Sequence, residues 1–445
     1  MTRYMSVLVI VWLALPCLPK AQDTVLTGVP AQWRLADCIE YAKQKNITIA
    51  SLRLSTVSTQ EDLLQARAGV LPNLNGTVSQ NLVNGKNGNS GTGSFQSQAN
   101  FSSSYGVNSS LVLYNGGYLR NDIRAKELSV QSANLNVKET ENDITLSITQ
   151  AFFNILLAKE IITTLSSVLE TSKEQLQQGQ QKFDAGSIAK KDLLQFQSQV
   201  AGDEYALINA NNTFRLNTVI LKQLLLLPSA YDLQVAAPDT IRVREALASL
   251  PEAQKAAQQA RPEIQNGQLQ VRISEIEIEK ARAAVKPSVS AGAGLATGYS
   301  DNQSDKYLSQ LDNNFYQTLG LTLAIPIYNR RVNRTNINKS KILWQQSQLR
   351  LTDSRNLLNN QVEQAYVNLL NAQERYTAAE TQLRTNEEIY RITNEQLRLG
   401  AVTIVELLLQ KNAYVQALQT FTQAKYNAAL YNKIYEFYMG LPVTF

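Results

Sequence analysis

Leu113-Tyr-Asn-Gly-Gly117 opens a stretch that closes with Phe183-Asp-Ala-Gly-Ser187, and the chain returns to it as Ile327-Tyr-Asn-Arg-Arg331 and Leu397-Arg-Leu-Gly-Ala401. Tyr114 and Tyr328, like Gly186 and Gly400, stand 214 residues apart. Between these marks Gln150-Ala-Phe-Phe-Asn-Ile-Leu156 matches Gln364-Ala-Tyr-Val-Asn-Leu-Leu370. One structural unit has been duplicated, and every other segment is read in the light of that repeat.

The period within the unit says what it is. Ile144, Ile148, Ala151, Ile155, Ala158, Ile162, Leu165 and Leu169 alternate steps of four and three. The second copy keeps the register with Leu358, Val362, Ala365, Leu369, Ala372, Tyr376, Ala379 and Leu383. A sustained 3.5-residue repeat specifies helices that supercoil on partners. No proline interrupts 118–183 or 331–397. At about 1.5 Å per residue each helix runs on the order of 100 Å, which fits a rod or a tube and no compact domain.

Past Gly186 a returning helix over 188–227 places Leu193, Val200, Leu207, Phe214 and Leu221 seven apart, and its copy over 403–439 does so with Leu407, Tyr414, Phe421, Ala428 and Tyr435. Each tip reverses the chain tightly, which calls for a residue that accepts positive φ without steric cost.

Upstream of each long helix the period changes. A short amphipathic helix over 33–45 and a second over 48–70 end at Pro72; their counterparts, 252–260 and 262–285, end at Pro287. Ala66-Arg-Ala-Gly-Val70 matches Ala281-Arg-Ala-Ala-Val285 at an offset of 215, so one residue is absorbed between the two kinds of segment. Then come alternating stretches over about 74–83 and 101–113, joined by a Gly/Asn/Ser-rich loop over 84–100. In the second half they lie at about 288–299 and 315–327, around a polar loop over 300–314. Leu319, Leu321, Leu323 and Ile325 face one way, Thr318, Gly320, Thr322 and Ala324 the other. Each stretch is near the roughly 9–11 residues of a tilted membrane strand, apolar outside and small or polar inside. Four strands cannot close a barrel, and open edges are not tolerated in lipid, so a barrel requires several chains.

Arg3, the apolar run Val7–Leu15, and Pro16, Pro19 and Ala21 read as a signal peptide over 1–21, cleaved before Gln22. Cys17 follows Ala14-Leu-Pro16, a poor lipobox, so lipidation is the minor reading. Removing Arg3 and Lys20 lowers the formal charge from +5 to +3, too weak to imply nucleic acid. Cys38 is then the one cysteine left, so no internal disulfide can form. With no histidine in the chain, neither a Ser-His couple nor a histidine metal site exists. The expectation is therefore no enzyme and no cofactor. The repeats are bounded as 22–227 and 251–445, with a proline-bearing connector at 228–250.

The duplicated order of helix, proline, strand, loop, strand, Tyr-Asn, long helix, Gly tip and helix resembles the TolC-type outer-membrane efflux proteins. Trp33-Arg-Leu-Ala-Asp-Cys-Ile-Glu-Tyr-Ala42 and the tip Ala401-Val-Thr-Ile-Val-Glu406 carry the resemblance further. It implies a mixed fold: a homotrimer with a twelve-stranded transmembrane barrel, continued by a coiled-coil tube across the periplasm. Such proteins are passive exit ducts of tripartite efflux or type I secretion systems. They sit in outer-membrane lipid, bind a periplasmic adaptor and serve an inner-membrane pump indirectly. A soluble periplasmic coiled-coil scaffold is the alternative. The tips Ala185, Gly186, Ser187 and Ile188, and Leu399, Gly400, Ala401 and Val402, are the expected adaptor contacts. The family carries an acidic residue six positions after each tip glycine, here Asp192 and Glu406, at the pore entrance. It often adds an aspartate one turn on; Leu409 stands there, with Gln195 at the matching place in the first half, so one acidic ring is missing. Thr403-Ile-Val-Glu406 also fits a capping box, and Asp192 could serve the helix dipole, so both residues have a competing explanation.

Overall fold

The computed structural model describes residues 30, 32–88, 95–238, 243 and 248–443. The signal segment and Cys17 lie outside the described residues. The helices come in matched pairs. α1 (Leu35–Lys45) and α2 (Ile47–Ala68) are followed by α3 (Tyr118–Asp184) and α4 (Lys190–Leu224). The second half gives α5 (Leu250–Ala260), α6 (Pro262–Ala283), then α7 (Tyr307–Asn313), α8 (Val332–Arg398) and α9 (Ile404–Tyr438). α3 and α8 are both 67 residues long, α4 and α9 both 35, α2 and α6 both 22, α1 and α5 both 11. Among the described residues α7 alone has no counterpart.

Four strands make one antiparallel sheet in chain order: β1 (Asn75–Gly88), β2 (Phe95–Asn115), β3 (Ser288–Ser300) and β4 (Tyr316–Ala324). The two repeats are joined where β2 pairs with β3. The register slips by one residue between Val112 and Tyr114, inside the segment where the repeat offset changes from 215 to 214. Pairing sets Val78 beside Tyr105, Val107 beside Leu295, and Ala293 beside Leu319. One face therefore carries Val78, Leu82, Val107, Leu295, Leu319, Leu321 and Leu323, all exposed. The other carries Thr77, Ser104, Gly106, Gly294, Thr318 and Gly320. Among the described residues nothing covers the face at Leu319, Leu321 and Leu323, and the outer edges of β1 and β4 have no partner strand.

Three segments differ from the sequence expectation. The loop expected over 84–100 is largely paired backbone, since β1 runs to Gly88 and β2 starts at Phe95. Asn, Gly and Ser on both faces give no alternation to read, yet a hairpin ladder needs only backbone groups. The polar loop expected over 300–314 contains α7. β4 stops at Ala324 and not at 327, because Pro326 has no N–H to continue a ladder.

The long helices pack by the predicted seams. Ile148, Ala151, Ile155, Ala158, Leu165 and Leu169 are buried on α3, and Leu358, Val362, Ala365, Leu369, Ala372 and Ala379 on α8. Around Phe152 and Phe153 a core gathers Trp33, Cys38, Leu221, Leu225, Tyr426 and Leu430. Trp33 is anchored there by its indole N–H, which donates to Tyr231 Oη at 3.1 Å. Cys38 is fully buried, and burial pushes its thiol up to about 12. α3 is long and apolar enough to cross a membrane by composition, but its apolar stretch is the one packed under α1, α4 and α9.

Candidate functional site: the helical tips and the duct entrance

Each long helix ends on the same device. At the first tip Gly186 has φ 73° and its N–H donates to the Phe183 carbonyl at 2.8 Å, while Ser187 N–H reaches back to Lys182 at 2.8 Å. At the second, Gly400 has φ 75°, donates to Leu397 at 3.0 Å, and Ala401 reaches Gln396 at 2.9 Å. These are the paired bonds of a helix end closed by a left-handed residue. A Cβ on either glycine would meet nothing within 4 Å, so backbone conformation and not crowding demands glycine. Ala185, Ser187, Leu399 and Ala401 are exposed, and Ile188 and Val402 half-buried.

The returning helices start differently. Ala189 caps α4 with no side-chain bond, whereas Thr403 caps α9 by accepting from Glu406 N–H at 3.3 Å. Only this half of the expected capping box forms. The Glu406 carboxylate instead accepts from Gln410 Nε2 at 3.2 Å, one turn along the helix. Asp192 and Glu406 both fall in the first turn of their helices, where a carboxylate complements the helix dipole. One turn further from the tips, Gln195 and Leu409 line a single groove between α4 and α9, with Ser198, Gln199, Gly202, Asp203, Val405, Leu408 and Asn412. Asp192 and Glu406 are not in it. Leu409 is 61% exposed, and Gln195 Oε1 is buried without a hydrogen-bond partner.

A second polar cluster lies deeper along the same helices. Lys411 on α9 is 2% exposed and Asp203 on α4 is 9% exposed. The Lys411 ammonium donates to Ser172 Oγ on α3, and Ser172 donates to Asp203 Oδ2. Lys411 Nζ stands 3.6 Å from the same carboxylate and 3.4 Å from Gln175 Oε1. Gln175 Nε2 continues to Tyr390 Oη on α8 at 3.1 Å, and Gln199 Nε2 bridges Asp203 and Asn412 at 2.9 and 3.0 Å. All four helices of the tube wall meet at this knot. Burial holds the Lys411 amine below the ordinary lysine range, with Asp203 pulling the other way. A signal for it was present in the chain. Phe196, Asp203 and Ala210 fall seven apart, as do Ile404, Lys411 and Leu418, so charges occupy core heptad positions.

Long paired helices standing on an antiparallel sheet whose apolar face is bare define a membrane-mounted duct. The chain belongs to the outer membrane efflux protein family, whose profile matches residues 38–225 and 253–431. It is 22% identical over 416 residues to the proteases secretion protein PrtF of Dickeya chrysanthemi, covering 90% of this chain and 87% of that one. It is 24% identical over 392 residues to the cation efflux system protein CusC of Escherichia coli K12, covering 84% and 80%. A 23% match to the outer membrane protein TolC of Salmonella enteritidis spans 41% of this chain and 38% of TolC. Among solved structures, CusC superposes with a TM-score of 0.80 at 18% identity over 93% of each chain. The Campylobacter jejuni CmeC outer membrane channel gives 0.76 at 17%, over 92% and 87%. The protein is an outer-membrane efflux or secretion channel with a large periplasmic helical part, and the family does not favour the scaffold alternative.

Proposed function

We propose that three copies close one twelve-stranded barrel and that the duct takes its cargo from a periplasmic adaptor seated on the helical tips. The sheet carries the first half of this reading. Its face bearing Leu319, Leu321 and Leu323 suits lipid, while the edges of β1 and β4 are unpaired among the described residues, and lipid offers an open edge no hydrogen bonds. β4 of one copy joining β1 of the next removes every edge. Light scattering in detergent gives the mass of three chains; a monomer with its strands intact overturns the architecture.

The second half rests on the tips, which expose small residues on open turns with room around both glycines. Ser187→Trp or Ala401→Trp abolishes export while leaving the trimer and its insertion normal. Transport that survives both substitutions makes the tips plain turns. The inner-membrane pump is engaged only through the adaptor, and the chain itself contributes passage and no chemistry.

A further inference from the structure

Among the described residues α7 is the one helix without a counterpart in the other repeat, and its contacts say which side of the barrel it occupies. Tyr307 Oη lies 2.7 Å from Tyr105 Oη, and the Tyr307 ring 4.9 Å from that of Tyr299. Thr297 Oγ1 donates to the Leu311 carbonyl at 2.6 Å. Tyr105, Thr297 and Tyr299 all belong to the strand face that carries Val107, Leu295 and Leu319. The segment between β3 and β4 therefore folds outward over the apolar face and not inward over the Thr318 and Gly320 side that lines the lumen.

Its seat is built. The last β3–β4 pair is Ala296 with Tyr316, so β3 continues alone on that side to Ser300. Gln310, fully buried, accepts from Ser300 N–H at 2.8 Å and donates to the Asp305 carbonyl at 2.8 Å. Asn314 Nδ2 donates to the Gly298 carbonyl at 2.8 Å. The backbone groups that β4 leaves behind are thus taken up by this segment, which fixes α7 against the barrel wall. Beneath it Ser103 is 4% exposed.

α7 exposes Tyr307 and Leu308 beside the polar Ser309, Asp312 and Asn313, and Phe315 follows just past its end. Leu308 is 77% exposed, Tyr307 41% and Phe315 50%. They continue the outer face at the end of the strands away from the tube, just beyond the band of Leu319, Leu321 and Leu323. Aromatic and amphipathic side chains at this height sit between acyl chains and headgroups. We propose that α7 is an interfacial foot, with Leu308 and Tyr307 set into the outer leaflet of the membrane, and that its occupant is lipid, continuous with the lipid around the barrel.

The test places an environment-sensitive bimane label at Leu308→Cys, with Asn313→Cys as a second site and the unsubstituted protein as the background for Cys38. The trimer is put into phosphatidylcholine nanodiscs whose acyl chains are brominated near the carbonyl. The label at Leu308 loses most of its emission to brominated lipid and is spared by aqueous iodide. Quenching by iodide and not by brominated lipid stands α7 in water and overturns the proposal. Protection from both quenchers means that protein covers the helix, and overturns it equally. Gln310→Ala with Asn314→Ala removes the bonds to Ser300 and Gly298, loosens α7 from the wall and reduces quenching by brominated lipid; unchanged quenching in that variant shows that the seat described above does not position the foot.

Discussion

Arg331 occupies the left-handed conformation that Gly117 occupies 214 residues earlier, with φ 69° against 93°, and Arg330 likewise repeats Gly116, 52° against 69°. The strand-to-helix junction demands two positive φ values in both repeats, but only the first meets the demand with glycine. A left-handed non-glycine residue costs roughly 1–2 kcal/mol. Neither guanidinium has an ion pair among the described residues to offset that cost.

Arg331→Gly therefore stabilises the protein by about 1 kcal/mol, part of the strain being returned to the freer unfolded chain. The first repeat reports the converse. A Cβ on Gly116 would come within 2.5 Å of the Ala283 carbonyl, while one on Gly117 would meet nothing within 4 Å. Gly116→Ala then destabilises more than Gly117→Ala. Urea midpoints of the four proteins in one detergent check the order.

The knot around Lys411 predicts a non-additive pair. Lys411→Met leaves the Asp203 carboxylate buried without its cation, a loss of about 3–5 kcal/mol. Lys411→Met with Asp203→Leu removes both charges and recovers most of that loss. A double-mutant cycle by equilibrium unfolding measures the coupling, and additive single effects would show that the charges do not act together.

Leu409 predicts weak cation block. With no acidic side chain at position 409 of the proposed entrance, multivalent cations depress single-channel conductance only slightly, and Leu409→Asp creates strong block by adding one carboxylate per chain. Tight block in the unmodified protein would place the constriction elsewhere.

Acidity has a predicted sign. Burial raises the Glu139 carboxyl, with Glu263 and Asp143 adding to the shift and Arg261 opposing it. Asp143 is raised by burial too, again against Arg261. A carboxyl whose folded pKa exceeds its unfolded one binds more protons when folded, so this region loses stability as pH rises from the ordinary carboxylate range through the raised values. Glu139→Gln is more stable than the parent at neutral pH, and the difference shrinks on acidification. Unfolding midpoints at neutral and mildly acidic pH test both statements.

The tube was open to reading from the chain because heptad seams such as Ile148 to Leu169 report burial directly. The exposed leucine face of β4 was equally plain. The upper part of the β1–β2 hairpin was not, since Asn, Gly and Ser pair through their backbones and leave no pattern. α7 escaped because seven residues hold barely two turns, and the groups that fix it, Gln310 and Thr297, lie in different elements. The Arg330-Arg331 pair could be seen as the counterpart of Gly116-Gly117, but only backbone angles show that arginine keeps the glycine conformation. Lys411 and Asp203 stood at heptad core positions, yet their meeting depends on how α4 and α9 are set together. Asp192 and Glu406 were implied by the family resemblance, which carries an acidic residue six positions after each tip glycine, and their first-turn placement leaves the dipole explanation standing beside the proposed pore.

The equal lengths of α3 and α8, and of α4 and α9, together with the bonds from Gln175 to Tyr390 and from Gln199 to Asn412, bring the two helical turns to one level. At about 1.5 Å per residue, one heptad gained by α3 alone would push its turn roughly 10 Å beyond its neighbour. A level rim of this kind constrains how the gene can change. Insertions and deletions in these helices survive only as matched sets: whole heptads, in both arms of a hairpin, in both halves of the chain. Duct length is thus inherited as a single quantity, written four times in one reading frame.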